Sequence, residues 1–343
     1  MAYTPINKSS DYFNTLLWTG NGVDNRSITG VGFQPDWTWI KSRSNTDYHM
    51  IADAVRGDNK QVKTNSTDDQ DSDTNKIKSF NSDGFTIGTG TVVNRSGATF
   101  VSWNLKANGA GSANTAGSIN STVSVNTTAG FSIVKWTGTG SASTVGHGLG
   151  VAPKMIIMKR TSGAVNDWVV YHASVGNNKA LFLNATNAPD TDSAYFNDTS
   201  PTSSVFSVKS GQTNNNYDNQ IAYCFAEKQG YSKFRSYAGN GNANGTFIYT
   251  GFKPAFVMIK RTDTTNNWYI HDNKRLGYNV SNSYVKANAS SVESATTDID
   301  ILSNGFKCRS TGNGHNNSSG TYIYAAFAEA PLVGSNNVPC TAR

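Results

Sequence analysis

Residues 136–140 read Trp136-Thr137-Gly138-Thr139-Gly140, and the phrase stands twice more, as Trp18-Thr19-Gly20-Asn21-Gly22 and as Tyr237-Ala238-Gly239-Asn240-Gly241. Each time a proline follows the anchor aromatic by 17 residues (Pro35, Pro153, Pro254), and a lysine follows that proline by 6 (Lys41, Lys159, Lys260). Two spacings held without a gap at three places identify an internal repeat, which takes precedence over single motifs.

Working outward from the proline, the places two and four residues on are Trp37 and Trp39, Met155 and Ile157, Phe256 and Met258. Alternate positions share one face of a strand, so a strand with an apolar face is expected in each copy. Proline suits its start, where a missing N–H costs no ladder bond. The lysine continues the same face to its rim, stem on the core and charge in water. The Gly-rich anchor reads as a turn with positive φ. Tyr48, Trp168 and Trp268 open the next apolar runs, Phe85, Phe206 and Phe306 lie in later ones, and each unit closes on an aromatic run: Phe100–Trp103, Ile221–Glu227 and Tyr322–Glu329.

This pattern predicts an all-β protein of three tandem units, each a small antiparallel sandwich or jelly roll of roughly six strands in ~95 residues. The expected boundaries are 1–106 for the first unit with its lead-in, 107–130 for a Gly/Ala/Ser/Asn/Thr-rich linker, 131–230, 231–333, and a tail over 334–343. Ile119, Val123 and Val125 give the linker an edge-strand alternative. With only Glu227 to Gly230 between them, the second and third units are expected to pack rigidly, and the first to be more separable.

Composition agrees. The 343 residues hold 9 Leu and 3 Glu against 40 Asn and 32 Gly. Leu and Glu favour helices, whereas Asn and Gly favour turns, so a bundle, a coiled coil or a doubly wound α/β enzyme is excluded. Charged residues are 15%, and the net charge of +6 is too diffuse to mark a nucleic-acid patch. No apolar run approaches the roughly 20 residues that cross a bilayer, and Met1 to Asp11 lack a signal pattern. Three cysteines (Cys224, Cys308, Cys340) without a paired spacing suggest neither a disulfide framework nor a zinc site, and suit folding in a reducing compartment.

Catalytic signals are sparse. No two of His49, His147, His172, His271 and His315 have metal-ligand spacing. His172 and His271 fall near equivalent places, with Asp53 in the first unit, and read as a recurring structural residue. Gly146-His147-Gly148-Leu149-Gly150 precedes a strand, so it reads as a loop and not a phosphate cradle. Glu227 and Glu329 are repeat-equivalent and so belong to different units, which disfavours a glycosidase pair. Asp69, Asp71 and Asp73 alternate as in a calcium loop, but Thr74 and Phe80 stand where that loop needs Gly and Glu; a solvated loop is the stronger reading, calcium the weaker. Asp190/Asp192 and Asp298/Asp300 are further alternating pairs, at unequal places. Loop aromatics can stack on sugar rings, which makes Tyr195, Phe196 and Tyr217 candidate glycan contacts, each with the alternative of plugging its own loop.

Several phrases together resemble repeat domains of virion proteins in tailed bacteriophages, especially marine ones. They are Gly30-Val31-Gly32-Phe33-Gln34-Pro35-Asp36-Trp37-Thr38-Trp39-Ile40-Lys41, Ser79-Phe80-Asn81-Ser82-Asp83-Gly84-Phe85, Val145-Gly146-His147-Gly148-Leu149-Gly150-Val151-Ala152-Pro153-Lys154, Gly230-Tyr231-Ser232-Lys233-Phe234 and Tyr322-Ile323-Tyr324-Ala325-Ala326-Phe327-Ala328-Glu329. The resemblance covers roughly residues 15–333 and brings no catalytic motif. It implies a structural protein on the particle surface, assembled in the host cytoplasm, of tail-fibre or receptor-binding type. Homotrimers, other virion proteins and a host-surface glycan are the implied partners; no cofactor, nucleic acid or membrane insertion is expected. The chain has no fibrous shaft, which keeps a decoration protein open as the alternative, with a polysaccharide depolymerase behind it.

Overall fold

The computed structural model describes residues 3–163, 165–275, 279, 281–331 and 333. The expected tail over 334–343, with Cys340, lies outside them.

The protein is all-β and every strand ladder is antiparallel, with helix confined to short segments such as Thr91–Asn94 and Ser193–Phe196. Three large sheets dominate. The first runs, edge to edge, Phe13–Thr19, Thr99–Leu105, Trp37–Ser42, Met50–Asp53, Gly57–Lys63 and Asp71–Ser72. At the heart of the second the order is Phe131–Thr137, Asn219–Phe225, Met155–Arg160, Trp168–His172 and Lys179–Phe182. At the heart of the third it is Ser232–Ala238, Thr321–Pro331, Phe252–Arg261, Trp268–Asp272 and Ser281–Lys286. In each, the strand after the proline lies between the last strand and the next one along the chain. The register matches too: Trp37 faces Asp53, Met155 faces His172 and Phe256 faces Asp272.

Residues 107–130 do not act as a linker. Ser112–Asn114 and Ser121–Asn126 are two strands that extend the second sheet, and Val123 is buried in its core. The edge-strand alternative for this segment is the one that holds, because pairing covers the outer edge of Phe131–Thr137.

Each strand after a proline points alternate side chains to opposite sides. One set (Trp37, Trp39, Met155, Ile157, Phe256, Met258) joins a single core in which all three sheets meet. Aromatic contacts cross every boundary: Trp37 to Tyr223 at 5.7 Å between ring centroids, Trp103 to Phe256 at 5.8 Å, and Phe225 to Phe327 at 6.0 Å. A cavity of about 30 Å³, walled by apolar side chains of all three sheets, lies at the junction. The segment over 1–106 is therefore not more separable than the others, because Trp37, Trp39 and Trp103 are buried in this shared core. The other set faces outward and is covered in the first two sheets by small sheets, Arg26–Thr29 with Gly84–Ile87 and Ile77–Asn81, and Ser143–Gly146 with Val205–Val208, which makes two-layered sandwiches.

Lys41, Lys159 and Lys260 correct a second expectation: none reaches water at a rim. All are fully buried. Each ammonium satisfies its charge on backbone carbonyls, in its own loop and in a neighbouring sheet. Lys41 Nζ donates to Asp47 O at 2.8 Å and to Ser290 O at 3.0 Å; Lys159 Nζ donates to Asn166 O and to Thr67 O at 2.8 Å; Lys260 Nζ donates to Asn266 O at 2.6 Å and to Thr186 O at 2.9 Å. The first sheet thus grips the third, the second the first, and the third the second. Burial pushes all three lysines down to a pKa of about 8.

A parallel set of bonds follows the same circuit. Trp168 Nε1 donates to Lys63 O at 2.8 Å, Trp268 Nε1 to Phe182 O at 2.8 Å, and His49 Nε2 to Lys286 O at 2.9 Å. His49, not the expected Tyr48, is therefore the counterpart of the two tryptophans, because an imidazole N–H reaches the same acceptor. His172 corresponds by register to Asp53 and Asp272, and His271 lies one residue off that place.

Candidate functional site

The Gly-rich anchors are structural. Gly22, Gly140 and Gly241 have φ of 71°, 73° and 66°, as the turn requires. A Cβ on Gly20, Gly138 or Gly239 would overlap the carbonyl oxygen of Arg95, Asn215 or Asn317. Sequence reasoning missed the residues that hold these turns, the fully buried Asn94, Asn214 and Asn316. Their side-chain oxygens accept from the N–H of Asn21, Thr139 and Asn240, and their amides donate to Val23 O, Ser141 O and Asn242 O. The signal was available: each stands five residues before the last strand of its sheet. Above each turn the anchor aromatic meets Phe85, Phe206 or Phe306 edge-on, at 73°, 69° and 83°.

The predicted site residues scatter. Tyr195 and Phe196 sit on the short helix Ser193–Phe196, whose N-cap Asp192 accepts from Ala194 N, and both are buried in the second sheet's outer core. Tyr195 donates to Asp190 Oδ2 at 2.8 Å, so it plugs its own loop. Tyr217 is 83% exposed and has no partner aromatic beside it among the described residues. In the Asp69–Asp73 loop, Lys76 is nearly buried and reaches Asp71 at 2.7 Å and Asp73 at 3.5 Å, putting an ammonium where calcium would sit. Among the described residues no three His, Cys, Asp or Glu side chains converge to hold a metal. Glu227 pairs with Arg235 and Glu329 with Lys253 at the surface. Cys224 and Cys308 are buried free thiols.

The most site-like hollow lies elsewhere, on the outward face of the third sheet. It is open, about 500 Å³, and is lined by Asn266, Tyr269, Tyr284, Asp298, Asn313 and His315, with Thr186 contributed from beside the second sheet. Tyr269 and Tyr284 meet edge to face at 5.1 Å. Glycine is needed at 314, where a Cβ would strike the Tyr269 ring. Tyr269 donates to Asn266 Oδ1 at 3.0 Å. Asp298 accepts from Thr296 Oγ1 and lies 3.5 Å from His315 Nδ1, while His315 Nε2 is 2.9 Å from His271 Nε2. Burial pushes His315 down to about 4, more than the Asp298 charge raises it, so at neutral pH it is uncharged and its two nitrogens are taken up within the protein. The hollow therefore offers two partly exposed phenol rings, a carboxylate and amides: faces to stack on, and groups that pair with hydroxyls.

Sequence reasoning did not assemble this hollow, although the register carries a signal. Tyr269 stands where the other sheets place the buried apolar residues Met50 and Val169, and His315 where they place Val93 and Thr213. Tyr269 thus breaks a pattern that its two counterparts share, and such a break is a place to look for a site.

The chain belongs to the family described as a domain of unknown function (DUF7483), whose match runs over residues 8–331. No curated protein matches it.

Proposed function

We propose that this chain is a particle-surface protein of a tailed bacteriophage that binds a host-surface glycan through the hollow on its third sheet. The observation that carries the reading is the pairing of Tyr269 and Tyr284 with Asp298 and two asparagine amides in one open concavity. Sugar rings present apolar faces ringed by hydroxyls, and this lining is complementary to both. The resemblance of 30–41 and 322–329 to repeat domains of phage virion proteins supplies the setting.

In this reading the chain is three copies of one sandwich unit, joined in tandem and closed on themselves as a trimer would be. Support comes from the shared strand order, the three asparagine-held turns and the lysine circuit. The family match runs through all three units in one stretch. The reading assigns no catalytic step, since the only imidazole in the hollow is buried and uncharged.

Glycan-array binding of the purified protein is expected in the micromolar range. Tyr269→Ala should weaken it about 10-fold or more, as loss of one stacking ring implies, and Asp298→Asn should weaken it less. Absence of binding at high micromolar concentration, or release of reducing ends from host polysaccharide, refutes the reading.

A decoration protein is the second reading, and one observation favours it. Phe247 and Tyr249 are 45% and 52% exposed beside Lys233 and Arg235, at the place where the two edges of the third sheet approach. An exposed aromatic sheet edge is a docking surface for another protein.

A further inference from the structure

The boundary between the third and first sheets holds a half-buried carboxylate. Glu293 accepts from Arg43 Nε at 2.9 Å, from Arg275 Nη1 at 3.2 Å and from Ser283 Oγ at 3.1 Å, and its N–H donates to Arg43 O at 2.8 Å. The boundary between the first and second sheets is built on the same frame. Arg56 repeats Arg275: each is clasped by an aspartate three residues earlier, Asp53 at 2.5 Å and Asp272 at 2.7 Å. Thr161 takes the place of Arg43: the N–H of each donates to the start of the last strand, Thr161 to Asn219 O at 2.8 Å and Arg43 to Thr99 O at 2.7 Å. Gln70 takes the place of Glu293: its N–H donates to Thr161 O at 3.2 Å and its Oε1 accepts from Arg56 Nη1 at 3.1 Å. One frame therefore carries a carboxylate at one boundary and the uncharged amide of the same side chain at the other.

Around that amide two lysines stand at places that are uncharged in the matching sheets. Val62 faces Ile51 and Val285 faces Ile270, so, two residues back along each strand, Lys60 stands where the third sheet has Ser283, and Lys135, next to the anchor Trp136, stands where the first sheet has Leu17, next to Trp18. Both lysines line a cleft of about 130 Å³ with Arg56, Gln70, Ser162 and Asn219, and none of the described residues lining it is acidic. Neither lysine makes an ion pair among the described residues. Of the acids on the flanking segments, Asp53 binds Arg56 and the Tyr223 hydroxyl, Asp71 and Asp73 bind Lys76, and Asp218 binds Arg160, while Asp69, next to Gln70, is not among the residues that line the cleft. Ser162 accepts from Asn219 N at 2.9 Å, which leaves its own hydroxyl proton to donate. The cleft is thus a concave set of donors and cations without an anion.

We propose that this cleft binds an oxyanion group carried by a ligand (a carboxylate, sulfate ester or phosphate ester), in the place that Glu293 fills from within the chain at the matching boundary. The size suits one charged group and not a whole sugar, since pockets for drug-sized ligands run to roughly 300–1,000 Å³. Two lysines in one concavity do not make the extended basic stripe that a nucleic acid needs. The site is separate from the glycan hollow of the third sheet and stands or falls independently of it.

The test is calorimetric titration of the full-length protein with sodium sulfate, phosphate and glucuronate at constant ionic strength, against sodium chloride. Saturable binding of at least one is expected, and the anion that binds most tightly identifies the ligand's charged group. Lys60→Gln with Lys135→Gln should weaken it at least 10-fold, whereas Lys179→Gln, at an exposed site, should not change it. Gln70→Glu supplies the missing carboxylate from within, so it should abolish anion binding while leaving the melting temperature equal or higher. No saturable binding of any of the three up to about 20 mM, roughly tenfold weaker than a low-millimolar site, overturns the proposal; so does undiminished binding in Gln70→Glu.

Discussion

At the scale of single residues, three asparagines do what the glycines beside them cannot. Glycine lets the turn after Trp18, Trp136 or Tyr237 form, but the turn's own polar groups still need partners once they are buried. Asn214 supplies them with both ends of its amide: Oδ1 accepts from Thr139 N at 3.2 Å, and Nδ2 donates to Thr139 Oγ1 at 3.0 Å and Ser141 O at 2.6 Å. Asn214→Ala removes all three bonds and leaves the part-buried Thr139 N–H and Ser141 O without their side-chain partner. We expect a loss of about 2–4 kcal/mol in a denaturant titration, with Asn187→Ala at an exposed site near zero; equal effects would show that the clamp contributes nothing. The glycines were legible because their spacing is rigid and their φ demand is strong. The asparagines were not, because among 40 residues of that type no composition argument distinguishes a clamp from a surface amide.

At the scale of elements, strand identity and face were readable from the prolines outward. Alternation places Trp37, Trp39 and their counterparts on one side, and they are all found there. What the pattern could not say is what that side meets. A lysine at the end of an apolar face normally reaches water; here a neighbouring sheet arrives instead, and the carbonyls of its loop take the charge. The linker was misjudged for a related reason: a run of Ser, Thr, Asn and Gly reads as flexible until another strand offers it a ladder.

Strands also carry the protein's response to acid. His172, at the end of Trp168–His172, accepts from Ser174 N at 3.2 Å and donates to Tyr324 O of the third sheet at 3.4 Å, which requires the neutral ring. Burial pushes it from 6.5 down to about 4, and His315 likewise. Between those limits the unfolded chain takes up protons that the folded chain refuses, so stability is full above pH 6.5 and is lost as the pH falls towards 4. The urea midpoint should drop between pH 7 and 4.5, and His172→Gln should make the drop shallower. A midpoint that does not move over that range would refute this account.

At the scale of the whole molecule, one core is shared by the three sheets. A chain of separable beads would unfold in steps; a chain whose sheets each lend tryptophans or phenylalanines to a common centre should unfold once. Calorimetry is expected to give a single transition with equal calorimetric and van't Hoff enthalpies. An early separate transition, reporting 1–106 alone, would contradict the packing of Trp37 and Trp103. The spacing of the anchors points to the strands at the heart of three large sheets, but their closure into one body was hidden because its partners lie 92, 249 and 74 residues apart along the chain.

The lysine circuit has a hereditary consequence. In an assembly of three identical subunits, every mutation is written three times, so a site that suits one face is imposed on all of them. Here the circuit is closed by a single polypeptide, so a codon change alters one link of it and leaves the other two as they were. That freedom is visible in the molecule. Glu293 and Gln70 occupy one frame with different charge, and Tyr269 opens a hollow where Met50 and Val169 close theirs. In the proposed reading of three joined copies, one chain lets a symmetric scaffold acquire asymmetric surfaces.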